Sequence, residues 1–426
     1  MKSSLSQVVE FPEDDESIGE FSITFFGPDV HVLLISCSNA KSQDLQTAIA
    51  LETLGEYLSD SAVSVLSQTF IEIDEPVTTN ISFSTNYQLP CTLAIYFESV
   101  PVEHLSTLED DLFAILRKVA VDGIDMERMT TVVENQRHRY LLYVEKRPAE
   151  IFSQKLINEA LYGALDGKTL TEDVADLKYY DGLSSWTSGQ WTTLLQRWYI
   201  DNPHVCIRGK PSAQLAKDLE RNELARVENQ REQLGEKGLA EKKRKLGEAQ
   251  ELNDKPIPQD QIRKFKIPKI SHIKFIDTLN AEYAPCSEPG RRNPRNDVER
   301  YLDSDPSDHP LNLVFSHTST QFVTVALYIT TKGIPGDLLP YLQVYLDSFF
   351  ALPVLRDGEL LEYEKIVAEV NNIAVDHTAA LGVQDVNEVV RLQLRAEKSQ
   401  YKDVVRLLGE LFVNSFFDPE RYLPSG

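Results

Sequence analysis

The chain has 426 residues, 42% of them hydrophobic and 26% charged, which is enough for roughly two to four domains with their own cores. Its net charge of -23, from 66 acidic against 43 basic residues, disfavours general binding to phosphate backbones or anionic membranes, so neither nucleic acid nor membrane is expected as a partner. Cys37, Cys91, Cys206 and Cys286 form no C-x-x-C pair, and no run reaches the ~18–20 apolar residues that cross a bilayer. The first residues read neither as a signal peptide nor as a transit peptide, so the expected location is cytoplasmic.

Along the chain, Phe21, Ile23 and Phe25 alternate with Ser22 and Thr24 before Gly27-Pro28, the pattern of a strand ending in a turn. Leu45, Ile49, Leu51, Leu54 and Leu58 follow at helical spacing. Ile81 and Phe83, then Leu93, Ile95 and Phe97, predict two neighbouring antiparallel strands. A helix over Leu105–Val119 comes next. Asp125 is placed to cap a long helix running to about Arg147, where Pro148 stops it. Two more helices, near 149–162 and 185–199, precede a strand at His204–Arg208. Strands beside packed long helices imply an α+β sandwich.

From Pro211 to Asn253 the composition shifts to Glu, Lys, Arg, Gln, Leu and Ala with a narrow apolar stripe. Gly235 and Gly238 interrupt it, which predicts a helical hairpin linker. Afterwards the first pattern restarts: strands at Leu311–Phe315, Val323–Ile329 and 387–395, and helices through Leu338–Phe349, Leu361–Val370 and Val404–Phe412. The expected division is a lead-in over 1–16, an α+β unit over 17–211, the hairpin linker over 212–256, and a second α+β unit over 257–426 that stops early. The early stop predicts an apolar patch on the last helix, around Val404, Leu408, Leu411 and Phe412.

No residue pattern carries a reaction. Helical zinc-hydrolase motifs need two imidazoles one turn apart and a carboxylate. The eight histidines contain no such pair, so neither H-E-x-x-H nor H-x-x-E-H is present. Glu103-His104 and Asp376-His377 are isolated. Asp303, Asp305 and Asp308 suggest a calcium loop, but its sixth position would be Asp308 and its twelfth Val314, where glycine and glutamate are needed. Lys332-Gly333-Ile334-Pro335-Gly336 lacks the G-K-[ST] ending of a phosphate loop. Lys242-Lys243-Arg244-Lys245 reads as the solvated face of a charged helix. No catalytic, metal-binding or cofactor-binding residue is therefore assigned.

Two stretches, Val9 to Pro28 (VEFPEDDESIGEFSITFFGP) and Leu234 to Pro258 (LGEKGLAEKKRKLGEAQELNDKPIP), resemble the pitrilysin/insulysin-type inverzincin zinc metallopeptidases of the presequence-protease branch. The segment Val405 to Tyr422 (VRLLGELFVNSFFDPERY) is similar to part of a domain in the same family. The resemblance implies the second of four related α+β domains, the helical hairpin that joins the halves of a clam-shell, and part of the third domain. It also implies that zinc, held by H-x-x-E-H in the first domain of complete members, is not held by this chain. On that reading the chain is a non-catalytic segment forming chamber wall and hinge for peptides, with a catalytic half or homologous subunit as partner. The alternatives are a degenerate relative that binds peptides or assembles with a subunit, and a peptidase with a site of another kind.

Overall fold

The first sheet is built by strands whose alternate residues face opposite ways, as period-two sequences require. The computed structural model describes residues 3–28, 38–88, 90–163, 170, 174, 176–267, 269–283, 294–304, 311–383 and 386–417. It divides into two units, residues 1–225 with 322–426 and residues 226–321.

In the first unit, β1 (Leu5–Pro12), β2 (Ile18–Phe26), β3 (Asn80–Asn86), β4 (Thr92–Pro101) and β5 (His204–Ser212) make one sheet in the order β1-β5-β2-β4-β3. All neighbours are antiparallel except β1 and β5, which run parallel. Phe21, Ile23 and Phe25 of β2 and Leu93, Ile95 and Phe97 of β4 point to one face and are almost wholly buried. Against that face pack α1 (Ser38–Ser59), α2 (Val65–Phe70), α3 (Leu108–Asp122), α4 (Met126–Lys146), α6 (Leu177–Leu183) and α7 (Ser188–Leu195) in one core. Between α4 and α6 lies α5 (Pro148–Tyr162).

Local signals explain the helix ends. The Asp125 carboxylate accepts from the backbone N–H of Glu127 and Arg128, capping α4 as the sequence implied. Arg147 ends α4, and Pro148 sits at the start of α5, where its missing N–H costs nothing. At Gly19 β2 and β5 approach closely: a Cβ there would lie 2.5 Å from the Gly209 carbonyl oxygen. The register between β2 and β4 slips beside it, and Ser99 takes a positive φ of 54° at the slip.

The same unit contains a second α+β module. β8 (Phe322–Thr330), β11 (Asp376–Val383) and β12 (Val386–Glu397) form a sheet in the order β11-β12-β8. It packs with α10 (Leu339–Ser348), α11 (Tyr363–Ile373) and α12 (Tyr401–Asn414) around Phe349, Leu352, Ile366, Leu392, Leu394 and Leu408. β9 (Val354–Arg356) and β10 (Glu359–Leu361) form a hairpin whose turn residues, Asp357 and Gly358, both have positive φ. The expectation for the last helix needs correction. Val404, Leu408 and Leu411 are 0–2% exposed and complete this core, so of the four expected residues Phe412 alone is exposed, together with Val405 and Val413. The fold class is α+β, as the sequence pattern implied.

The helix that follows β5, α8 (Ala213–Asn253), is broken at Gly235, with φ 54° and ψ -175°. Only glycine takes up that backbone conformation readily. The second unit contains β6 (Leu279–Tyr283) paired antiparallel with β7 (Leu313–His317), and α9 (Asp297–Ser304) packed beside β6. The strand expected at Leu311–Phe315 is thus β7, and its partner is β6.

The core of the first module is larger than that of residues 322–417. Amides of β2 and β4 should therefore exchange with deuterium more slowly than those of β8 and β12. Equal or greater protection in the later module would contradict this.

Candidate functional site

The alternation that buries one face of the five-stranded sheet leaves the other face uncovered by the core helices. Glu20, Ser22 and Thr24 of β2, Ser82 and Ser84 of β3, and Tyr96 and Glu98 of β4 belong to this open face. Two concavities lie along it. One, of about 520 Å³, is lined by Glu20, Ser22, Ser82, Tyr96, Glu98 and Ile207, and reaches Ser99 and Gly209 at the register slip. The other, of about 470 Å³, continues past Tyr96 to Thr24, Ser84, Thr85, Thr92, Gln154 and Asn158. The chemistry offered is two carboxylates, a row of hydroxyls and an aromatic face. Such a surface recognises polar backbone and cationic side chains, and it supplies neither a base–nucleophile pair nor a metal cage.

A further cavity of about 410 Å³ lies between α1 and β3, lined among others by Glu52, Glu56, Asp60, Ser82, Thr85 and Tyr199. Glu52 and Glu56 lie one turn apart on one side of α1, and Asp60 follows its last residue. Glu56 is paired with Arg139 at 2.9 Å and Asp60 with Arg128. Burial raises the Glu52 carboxyl to about 7, against the opposing effects of a Tyr87 hydrogen bond and the Lys155 charge. Three carboxylates without an imidazole do not match the donor set of a hydrolytic zinc site. Among the described residues no group of three or more His, Cys, Asp or Glu side chains is arranged to hold a metal ion.

A charged cluster joins β1, α3 and β5. His204 Nε2 lies 3.0 Å from Glu109 Oε1, Arg208 donates to Glu109 Oε2 at 2.9 Å, and Ser6 Oγ donates to Glu109 Oε2 at 2.8 Å. Burial alone would raise the Glu109 carboxyl, but these hydrogen bonds outweigh it and hold the group at about 2. Ser4 Oγ is 3.2 Å from His204 Nδ1, and the imidazole stacks on Phe113 at 4.8 Å. Beside it, burial pushes the Cys206 thiol up to about 11, so it is not a nucleophile at neutral pH. The cluster ties β1 onto the sheet.

The isolated pairs from the sequence have structural partners. His104 ends a single 3₁₀ turn. Asp376 accepts from Arg395 at 3.2 Å and lies 3.5 Å from Lys146, while the His377 ring packs 4.6 Å from Phe350. Asp303 lies in α9, and Asp305 and Asp308 fall outside the described residues. Lys332–Gly336 forms a turn before α10, with Lys332 3.5 Å from Glu388. Arg244 and Lys245 pair with Glu241 and Glu248 along the exposed helix, a solvated charged face. Sequence reasoning missed Glu52 and the Glu109–His204–Arg208 cluster, whose members are 95 and 99 residues apart.

Comparison with known proteins adds the family context. Residues 3–136 match the peptidase M16 inactive domain. Uncharacterised proteins of Schizosaccharomyces pombe and Saccharomyces cerevisiae are 28% and 26% identical over 98% and 97% of this chain. An uncharacterised protein of Caenorhabditis elegans is 23% identical over 99%. The chain spans only about 40% of the length of these relatives. Among solved structures, a protease from Helicobacter pylori covers 49% of this chain and 44% of its own, at 13% identity and a TM-score of 0.37. The ferredoxin protease FusC, solved in complex with Arabidopsis ferredoxin, covers 98% of this chain and 41% of its own, at 10% identity and a TM-score of 0.36. Among the described residues no helix is long and apolar enough to cross a membrane.

The two shifted carboxylates give opposite pH signatures. Glu109 titrates lower in the folded than in the unfolded chain, so its contribution is full above about pH 4.5 and is lost as pH falls toward 2. Glu109→Gln should cost about 1–2 kcal/mol at pH 7, with the difference closing in acid. Glu52 titrates higher in the folded chain, so ionising it weakens the fold as pH rises from about 4.5 to 7. The stability of Glu52→Gln relative to the parent chain should therefore rise by on the order of 1 kcal/mol between pH 4.5 and 8. Denaturant unfolding from about pH 2 to 8 checks both signs.

Proposed function

We propose that this chain is a non-catalytic segment of an M16-type zinc metallopeptidase of presequence-protease-like kind, and that its open sheet face forms wall for a peptide chamber. The match of residues 3–136 to the M16 inactive domain carries the reading. The open face supports it: a row of hydroxyls flanked by Glu20 and Glu98 holds an extended peptide through its backbone and favours basic side chains. The kink at Gly235 supports a hinge in the helical linker. In this reading zinc chemistry, which in the family splits the peptide bond, belongs to a separate catalytic half. The residues here only bind and orient.

The curated relatives, about 2.5 times as long and matched along nearly all of this chain, favour a segment of a larger assembly over a free-standing subunit. The test is fluorescence anisotropy with a labelled basic peptide of about 20 residues, in the presence of a chelator. The proposal expects saturable, salt-sensitive binding without cleavage, weakened about tenfold by Glu20→Lys with Glu98→Lys. Absence of binding, or binding that ignores this charge reversal, would contradict it.

A further inference from the structure

The second unit carries a feature that the proposed function does not use. Between the end of α8 and the start of β6, residues 257–267 and 269–279 run largely without regular structure and expose their apolar side chains. Phe265 is 82% exposed, Ile267 91%, Ile270 79%, Phe275 83% and Ile276 74%. Polar loops do not need such residues, and contiguous exposed apolar surface of this kind marks a docking site.

The spacing is regular. Ile267, Ile270, Ile273, Ile276 and Leu279 recur every third residue. Lys269 (φ -70°, ψ 134°) and Ile273 (φ -78°, ψ 115°) have extended, polyproline-like backbones, and Ile270–His272 form a 3₁₀ turn between them. Both conformations have three residues per turn, so a period of three keeps one apolar stripe along one side. At about 2–3 Å per residue, the stripe from Ile270 to Leu279 is roughly 25 Å long.

Its charge is opposite to that of the chain. Residues 255–279 hold six Lys and Arg against two Asp, inside a chain of net charge -23. Lys269 and Lys274 fall between the stripe positions and Lys266 immediately precedes them, so the strap offers both apolar and cationic groups. A complementary surface is present in the same molecule. The open sheet face combines exposed Tyr96 and Ile207 with Glu20 and Glu98 around a concavity of about 520 Å³.

We propose that this basic, apolar strap docks in trans on the acidic open sheet face of a second copy of the chain. Charge complementarity chooses the partner, because the strap and its receptor have opposite sign in one sequence. Area permits it: eight or so exposed large apolar side chains present on the order of 800 Å², about what each partner contributes to a standard interface. Reciprocal exchange would give a closed two-fold dimer with two such contacts. The strap would also occupy the surface assigned above to peptides, and so act as a competitor for it. The inference shares that face with the proposed function but needs no peptidase relationship.

Sedimentation velocity on the full chain across concentration and salt is the test, with variants that alter only exposed strap residues. A concentration-dependent dimer that weakens with salt is expected. Ile270→Asp with Ile273→Asp should raise its dissociation constant at least about tenfold without changing the melting temperature. Lys266→Glu with Lys269→Glu should weaken the dimer, and adding Glu20→Lys with Glu98→Lys should restore it. A chain that stays monomeric overturns the inference, including one whose strap is protected from hydrogen exchange by folding back on itself. So does a dimer indifferent to the strap variants. Peptide binding at the sheet face that survives such a result would leave the proposed function standing, and absence of peptide binding by the Ile270→Asp with Ile273→Asp chain, whose face the strap no longer covers, would remove that function alone.

Discussion

A sheet buried on one face only is the constraint on which the first module depends. Phe21, Ile23, Phe25, Leu93, Ile95 and Phe97 commit the alternate residues of β2 and β4 to the helices. A slip of one residue would turn all of them to the other side, so the register is strongly fixed. Gly19 allows the close crossing that the register requires. The price of this order is a second face that the core helices cannot cover, and hydroxyls and carboxylates occupy it. Burial and the candidate binding surface therefore follow from one pattern.

The charged groups divide by whether they are satisfied within the fold. Glu109 is hydrogen-bonded to Ser6, His204, Cys206 and Arg208, and Arg356 joins Glu369 and Glu410 at 2.8 and 2.6 Å in the second module. Such networks fix elements relative to one another rather than carry out reactions. The two modules of the first unit also meet through polar contacts. Thr131 donates to Asn372 at 2.9 Å, Asn135 to the Asn371 carbonyl at 2.6 Å, and His138 lies 3.1 Å from Glu397. A small apolar patch, Leu142 with Phe322 and Val375, lies among them. A seam of this composition holds two modules in place more weakly than either core holds itself.

Much of the fold was legible because its signals are local. The strands at 21–25, 81–83 and 93–97, the helix over 42–58, the Asp125 cap and the stop at Pro148 all follow from period or capping chemistry. The Asp357-Gly358 hairpin had an equally local signal, and the D-G pair should have revealed it. What the sequence withheld was long-range pairing. Nothing in residues 5–12 announces a parallel partner 200 residues later, and nothing near Leu313 indicates that β6 is its neighbour. The open face was half visible: alternation marks its polar residues, but only the sheet order shows that they lie side by side.

The central proposal is that this chain binds and positions peptide and leaves zinc chemistry to a separate catalytic half; the match of residues 3–136 to the peptidase M16 inactive domain supports it. The most direct measurement is metal content by mass spectrometry after equilibration with zinc and gel filtration, made beside a cleavage assay on an unstructured peptide. The account predicts well below one zinc per chain and no chelator-sensitive cleavage. Stoichiometric zinc accompanied by cleavage that a chelator abolishes would contradict it.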